Sequence, residues 1–301
     1  MKVLLIDPQG IAPGVNIGLG YLSAVLKQNN YDVNVLDLNN NRINTKKRLD
    51  QALQEKPEVV GISINSFTEK EGIRLARYCK KNIKTKCILG GPGATINYFE
   101  ILQKNHDAID CIMFGESEVT IIDFLDKIKK NKDPRKIKGI AFYSRGVKKN
   151  PDREFVNLDS LPFPDYTTFD SFQDNKVIEK YQIVTSRGCP FSCIFCANRC
   201  IWKQRFRARS PENVIDEIKH AKEFYKSDIM LICDDNFTLD MTRAKKICRI
   251  MISEKIDIPY YMFNGIRADK VDEDLLFLLK KSGCKEIAVG IENGDKETFQ
   301  L

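Results

Sequence analysis

Short apolar runs alternate with longer segments whose apolar positions recur every three or four residues, and this alternation fills most of the chain. Residues 2–7 (KVLLID) form an unbroken run of strand length, residues 18–29 carry the helical period, and residues 33–36 are again strand-like. The pattern continues with a strand at 59–64, a helix over 68–82, a strand at 87–89, a helix near 96–104, a strand at 111–114 and a helix over 117–130. Strands that are apolar throughout, separated by amphipathic helices, predict a parallel sheet covered on both faces, a doubly wound Rossmann-like α/β domain. Ligands of such sheets sit beyond the carboxyl ends of the strands. Gly10, Gly14, Gly18 and Gly20, then Gly90, Gly91 and Gly93, then Gly115 all fall there. Any one of them is ordinary turn punctuation; at three strand ends together they predict a ligand cleft.

Residues 132–176 change character. Asp133-Pro134, Asn150-Pro151-Asp152 and Leu161-Pro162-Phe163-Pro164-Asp165 interrupt short strand-like pieces such as 140–143, and the stretch reads as a linker between domains at 1–131 and 177–301. The alternation then resumes, with strands at 182–185, 229–233, 260–263 and 286–291 and helices over 210–225, 241–253 and 272–281. Strand and helix units in series suggest part of a (β/α) barrel. Asp295-Lys296-Glu297 would open a further helix just before Leu301. Four strands cannot close a parallel barrel, so the expectation is either a fragment of a longer polypeptide or a partner over the last strand's edge.

Composition narrows the class. With 43% hydrophobic residues in 301, the chain can bury a core in each half, which excludes a disordered protein. The formal charge is +7, but 48 basic residues are interspersed with 41 acidic ones, so the excess describes a solvated surface and makes no case for nucleic acid. No apolar run approaches the ~20 residues that span a bilayer, and the amino terminus MKVLLIDPQG looks like a strand, so a soluble cytoplasmic protein is expected.

Of ten cysteines, seven are scattered and three share one loop. In Ser186-Arg187-Gly188-Cys189-Pro190-Phe191-Ser192-Cys193-Ile194-Phe195-Cys196, three thiols leave the sheet just after a predicted strand, at its carboxyl end. Intervals of three and two residues allow a short loop to ligate three corners of an iron-sulfur cubane and leave the fourth iron without a protein ligand. Cys200 keeps open a ferredoxin-like reading in which every iron is capped, although ferredoxin runs begin with an interval of two and end in Cys-Pro. Zinc would want paired Cys-x2-Cys halves or histidines, and the two histidines, His106 and His220, are distant in sequence. Cys79, Cys87, Cys111, Cys233, Cys248 and Cys284 read as small core residues.

Cys189-x3-Cys193-x2-Cys196, with aromatic Phe195 before the last cysteine, resembles the cluster loop of the radical S-adenosylmethionine (radical SAM) superfamily, and Ser186-Arg187-Gly188-Cys189-Pro190 resembles its cobalamin-binding branch. Gly18-Leu19-Gly20-Tyr21-Leu22, Gly90-Gly91-Pro92 and Gly115-Glu116-Ser117-Glu118 look like that branch's cobalamin domain, 158–164 like its linker, and Arg209-Ser210-Pro211-Glu212, Asp234-Asp235-Asn236-Phe237 and Gly290-Ile291-Glu292 like segments of its barrel. The resemblance implies a cobalamin-binding-type domain followed by a partial TIM barrel. It implies a 4Fe-4S cluster on Cys189, Cys193 and Cys196, S-adenosylmethionine on the open iron, and cobalamin over Gly10, Gly18, Gly90, Gly91 and Gly115. Phe195, Asp234, Asp235 and Glu292 become candidates for the S-adenosylmethionine site, the carboxylates because an ammonium and ribose hydroxyls want acceptors; if both aspartates lay in the strand, only one would face it.

The Asp-x-His-x-x-Gly signature of cobalt ligation is absent from Asp7-Pro8-Gln9-Gly10, so cobalamin is expected without a protein histidine ligand. The cationic and aromatic segment 202–209 could contact nucleic acid, but beside an anionic cluster it reads better as charge neutralisation or a solvated loop. The implied activity is methylation of an unreactive carbon of a small-molecule substrate, with a reductase, flavodoxin or ferredoxin as electron donor. Cobalamin-linked cyclisation or rearrangement, or a non-catalytic iron-sulfur electron carrier or inactive fragment, are the alternatives.

Overall fold

A computed structural model describes residues 1–172, 177–292 and 294–295 of the chain. The chain divides into two compact units, Met1–Lys176 and Val177–Leu301. The first contains β1 (Lys2–Asp7), α1 (Ile17–Gln28), β2 (Asp32–Asp37), α2 (Thr45–Gln54), β3 (Val59–Ser63), α3 (Glu69–Asn82), β4 (Lys86–Gly90), α4 (Gly91–Asn105), β5 (Cys111–Met113), α5 (Glu118–Lys129), β6 (Ile140–Tyr143) and β7 (Val147–Lys149). Its sheet runs β2-β1-β3-β4-β5-β6-β7, with β1 to β5 mutually parallel. Val3, Leu4, Leu5 and Ile6 are all buried, as a strand covered on both faces requires. Strand order reverses between β1 and β3, so the crevice for a ligand opens beyond their carboxyl ends.

Two features of this unit were not evident from the pattern. Helix α2 has only a thin apolar stripe, Leu49 and Leu53 buried with Ala52 beside them, too little for the period to show. Residues 132–172 of the segment read above as a linker are packed into the first unit. β6 and β7 extend the sheet in antiparallel fashion beyond β5. Further on, the chain covers the opposite edge: Val35 N donates to Thr168 O (2.9 Å), Asp37 N to Asp170 Oδ1 (2.9 Å), and Ser171 Oγ to Asp37 Oδ2 (2.6 Å). Prolines and Asn/Asp pairs mark where the chain turns, but not whether the pieces between the turns dock on an open sheet edge.

The second unit contains β8 (Lys180–Ile183), β9 (Ser186–Arg187), α6 (Asn198–Trp202), β10 (Arg207–Ala208), α7 (Pro211–Phe224), β11 (Ile229–Ile232), α8 (Met241–Ser253), β12 (Tyr260–Ile266), α9 (Glu273–Lys281) and β13 (Cys284–Val289). Strands β8, β11, β12 and β13 are parallel and neighbour one another in chain order, the single winding sense of a (β/α) barrel. Each long helix is capped as its sequence suggests: Ser210 accepts from Asn213 N ahead of Pro211, Asp240 from Arg243 N, and Asp272 from Leu275 N. Winding in order places the segments after β8, β11, β12 and β13 side by side at one end. Residues 296–297 of the suggested further helix lie outside the described residues.

Candidate functional site

At the rim of the first unit, Gly10 follows β1, Gly18 lies in the first turn of α1, Gly90 ends β4, Gly91 opens α4, and Gly115 follows β5. Gly91 has φ +90°, and a Cβ there would stand 2.7 Å from Ile64 O, so α4 can approach the end of β3 this closely only through glycine. Gly115, by contrast, has nothing within 4 Å of its Cβ position. Ile11 after β1 and Phe67 after β3, 71% and 73% exposed, flank the crevice. An apolar rim with open space at a switch point suits a large flat ligand.

Beneath that rim, Asp7 is buried at the end of β1 and accepts from Asn16 Nδ2 (2.8 Å), the residue that also caps α1. Burial pushes its carboxyl up to about 7 and the neighbouring Asp37 adds to this, against the pull of the Asn16 amide. His106 caps α4 at the end away from the rim, stacked on Tyr143 at 3.9 Å. His220 belongs to α7 of the second unit, stacked on Phe224.

In the second unit the cysteine loop is tied off at its base. β9 enters it and β10 leaves it, paired antiparallel through Arg187↔Arg207 and Ser186↔Ala208. Gly188, between β9 and Cys189, has φ +86°, and a Cβ there would lie 2.0 Å from Arg205 O. No other residue fits that crossing. Cys196 N donates to Cys193 O (3.0 Å), which tightens the second interval into a turn. Cys189 and Cys196 are half-buried and Cys193 is exposed, all three as free thiols. Cys200 lies within the short helix α6 rather than on the loop itself. Of the six cysteines assigned to the core, Cys79, Cys87, Cys111 and Cys248 are buried, while Cys233 and Cys284 are half-buried.

Two neighbouring strand ends bear on the loop. After β11, Asp234 is buried and accepts from Thr185 N (2.6 Å), Thr185 Oγ1 (2.5 Å) and Ser186 Oγ (2.6 Å). Burial pushes its carboxyl up, opposed by the Arg243 charge and those donors. The next residue, Asp235, accepts from Gly188 N (2.8 Å). Neither aspartate is in the strand, which ends at Ile232, so the alternation of faces expected for the pair does not apply. Burial raises the Cys189 thiol, while the Phe191 backbone N–H and the side chain of buried Asn236 hold it down.

After β12, the Arg267 guanidinium lies 3.9 Å from the Phe191 ring centroid and within electrostatic reach of Cys193 and Cys189. Glu292, after β13, is exposed at φ +62°. Phe195 is also exposed. The cationic segment is largely structural: Arg187 and Arg207 flank the Trp202 ring, and buried Arg209 pairs with Glu217 and donates to Val184 O (3.1 Å). Asn236 and Arg267 had no role of their own in the sequence reading, although each lies a few residues beyond the end of a predicted strand, where barrel chemistry collects.

Among the described residues, no three His, Cys, Asp or Glu side chains converge as a metal-binding group. The fit of the loop to a cluster rests on its donors: three accessible free thiols on one loop, with a hydrogen-bond donor and a guanidinium beside them.

Residues 3–125 match the B12 binding domain, and residues 183–300 match the Radical SAM superfamily. The chain belongs to the radical SAM proteins that carry a B12 binding domain ahead of the radical SAM domain. It is 27% identical to an uncharacterized methyltransferase of Pyrococcus horikoshii, over all of this chain and 67% of that protein. It is 25% identical to cytidylyl-2-hydroxyethylphosphonate methyltransferase of Streptomyces wedmorensis, over 97% of this chain and 65% of that one. It is likewise 25% identical to an anaerobic magnesium-protoporphyrin IX monomethyl ester cyclase of Synechocystis, over 100% and 62%. Among solved structures, the radical S-adenosylmethionine methyltransferase TsrM of Kitasatospora setae shares the fold, with a TM-score of 0.83 at 20% identity over 98% of this chain and 60% of that one. The chain thus spans about two thirds of the length of these relatives. Among the described residues, no helix is long and apolar enough to cross a membrane.

Proposed function

We propose that this chain is the cofactor-bearing part of an enzyme that methylates an unreactive carbon of a small-molecule substrate, using a 4Fe-4S cluster, S-adenosylmethionine and cobalamin. The observation that carries this reading is the loop of Cys189, Cys193 and Cys196, set at a barrel strand's carboxyl end and braced by the ends of β11 and β12, in one chain with a B12 binding domain. When bound, the cluster supplies the electron that cleaves the sulfonium of S-adenosylmethionine, and cobalamin supplies a transferable methyl group. TsrM has been solved with cobalamin and a [4Fe-4S] cluster, and with a S-adenosylmethionine analogue and tryptophan.

The chain's own residues have distinct tasks in this reading. Three thiolates hold the cluster, and Arg267 offsets part of its negative charge. Asp235 and Glu292, both exposed, are the carboxylates available to an ammonium or a ribose, with exposed Phe195 beside them in role; Asp234 already accepts three hydrogen bonds and holds the strand instead. The rim of Gly10, Gly18, Gly90, Gly91 and Gly115 receives cobalamin. No histidine ligates it, since His106 lies at the far end of α4. An electron donor of the flavodoxin, ferredoxin or reductase kind, in the reducing cytoplasm, completes the system.

The test is anaerobic reconstitution followed by iron, sulfide and corrin analysis and assay for 5′-deoxyadenosine under dithionite. Absence of 5′-deoxyadenosine from cluster-loaded protein refutes the reading for this chain. A corrin spectrum with protein nitrogen coordination refutes the histidine-free site. The cyclase relative favours a second reading, radical cyclisation without methyl transfer. Methyl-labelled S-adenosylmethionine separates the two, because only methylation places label in a product other than methionine.

A further inference from the structure

The loop that follows β1 borders the crevice of the first unit, because the strand order reverses beside it. Among the described residues, 8–15 make no backbone–backbone hydrogen bond, and Pro8 and Pro13 have no N–H to offer. Gly10 and Gly14 add conformational freedom to the same stretch. Left to its own backbone, such a segment would have no single shape.

Side chains of the loop after β2 supply the order. Asp37, buried at the end of β2, accepts from Asn39 N (3.2 Å) and Asn40 N (2.8 Å) and so turns the chain there. Asn39 then uses both ends of its amide on the first loop: Oδ1 accepts from Gly10 N (2.8 Å), and Nδ2 donates to Gly14 O (3.1 Å). Arg42 Nη2 donates to Gly10 O (3.0 Å) and to Asn39 Oδ1 (3.3 Å), while its Nε donates to Asn39 O (3.0 Å). Gly10 is therefore held at both its N–H and its carbonyl. A Cβ at Gly10 would stand 3.2 Å from Asn39 Oδ1, so this close approach itself favours glycine. Arg42 pairs with no carboxylate among the described residues, and its guanidinium serves only these two loops. Ile11, next to the clamped glycine, is thereby held out at the rim.

We propose that Asn39 and Arg42 are positioning residues for cobalamin: they fix the loop 8–15 in its binding shape before the corrin arrives, so that the ligand does not have to order it. This rests on the cobalamin assignment made above. Preorganisation of this kind acts on affinity, since having to order the backbone of even one residue on binding weakens it by about tenfold.

The test compares the chain with Asn39→Leu, which removes the amide, Arg42→Met, which removes the guanidinium, and Arg42→Lys, which keeps one donor toward Gly10 O. Each is measured for hydroxocobalamin affinity by equilibrium dialysis and, without corrin, for hydrogen exchange of the segment 8–16 by mass spectrometry. N39L and R42M should bind hydroxocobalamin about tenfold more weakly and exchange the segment faster, while R42K recovers most of the affinity lost in R42M. If N39L fails to fold, R42M against R42K carries the test. Unchanged affinity in R42M, weaker affinity without faster exchange, or an R42K no better than R42M overturns the proposal. An unsubstituted chain that binds no hydroxocobalamin, while R42M still exchanges the segment faster, overturns the cobalamin assignment beneath it instead.

Discussion

Replacing Asp7 by asparagine should make the first unit more stable at alkaline pH and remove much of its pH dependence. The carboxyl is raised from 3.8 to about 7, chiefly by burial. Because the folded form binds its proton more tightly than the unfolded chain, the contribution of Asp7 to stability is fully present below about pH 4 and is lost as the pH rises to about 7, with no further change above. A shift of about three units at ~1.4 kcal/mol each gives roughly 4 kcal/mol across that window. Asp7 is only 6% exposed, so solvent screening reduces this little. The amide of asparagine carries its own cost, since its Nδ2 needs an acceptor, but that cost is the same at every pH. The decisive quantity is therefore the stability difference between variant and original at pH 8 minus that at pH 4, expected to be roughly 4 kcal/mol in favour of the variant. Asp37, also raised by burial, contributes to both proteins and largely cancels. Urea unfolding followed by far-ultraviolet circular dichroism measures it. The one tryptophan, Trp202, belongs to the second unit and gives an internal control whose transition should not move. A double difference below about 1 kcal/mol would refute the buried, proton-holding carboxyl.

Other outcomes follow from the second unit. Gly188→Ala, with φ +86° and a carbonyl oxygen 2.0 Å from the new Cβ, should force β9 and β10 apart; the variant should lose most of its capacity for iron on reconstitution, and retention of full iron content would show that the crossing can relax. Glu217→Ala leaves Arg209 buried without its carboxylate, so the Trp202 fluorescence transition in urea should fall by about 3–5 kcal/mol. A loss under 1 kcal/mol, about the value of an exposed pair, would mean that solvent reaches the site. Cys200→Ala should leave iron and sulfide content unchanged, whereas Cys189→Ala, Cys193→Ala and Cys196→Ala should each abolish the intact cluster. A requirement for Cys200 would favour the electron-carrier reading.

The hydrophobic period alone determined most of the elements, because strands covered on both faces and helices covering them leave strong, distinct signatures: β1, β3 and the helix Met241–Ser253 are legible to within a residue or so. The three cluster cysteines were legible too, since their spacing is local in the chain and a short loop must keep them together. Helix α2 and the docking of 132–172 on both edges of the first sheet were not, because the first buries two leucines and the second depends on which edges the sheet leaves open. Only the tertiary structure gave Asp234, Asp235 and Asn236 their separate duties. They are adjacent in sequence and similar in chemistry, yet one is buried against two hydroxyls, one meets a glycine amide from an exposed position, and one is buried with its amide oxygen unpartnered among the described residues. Likewise Arg267, after β12, stands over Phe191 in the loop that follows β8, because only β11 separates those two strands in the sheet although the residues are far apart in the chain, and no local pattern records that neighbourhood. Periodicity reports what a residue's own element must bury; which side chains meet at the strand ends is decided by how the strands are ordered.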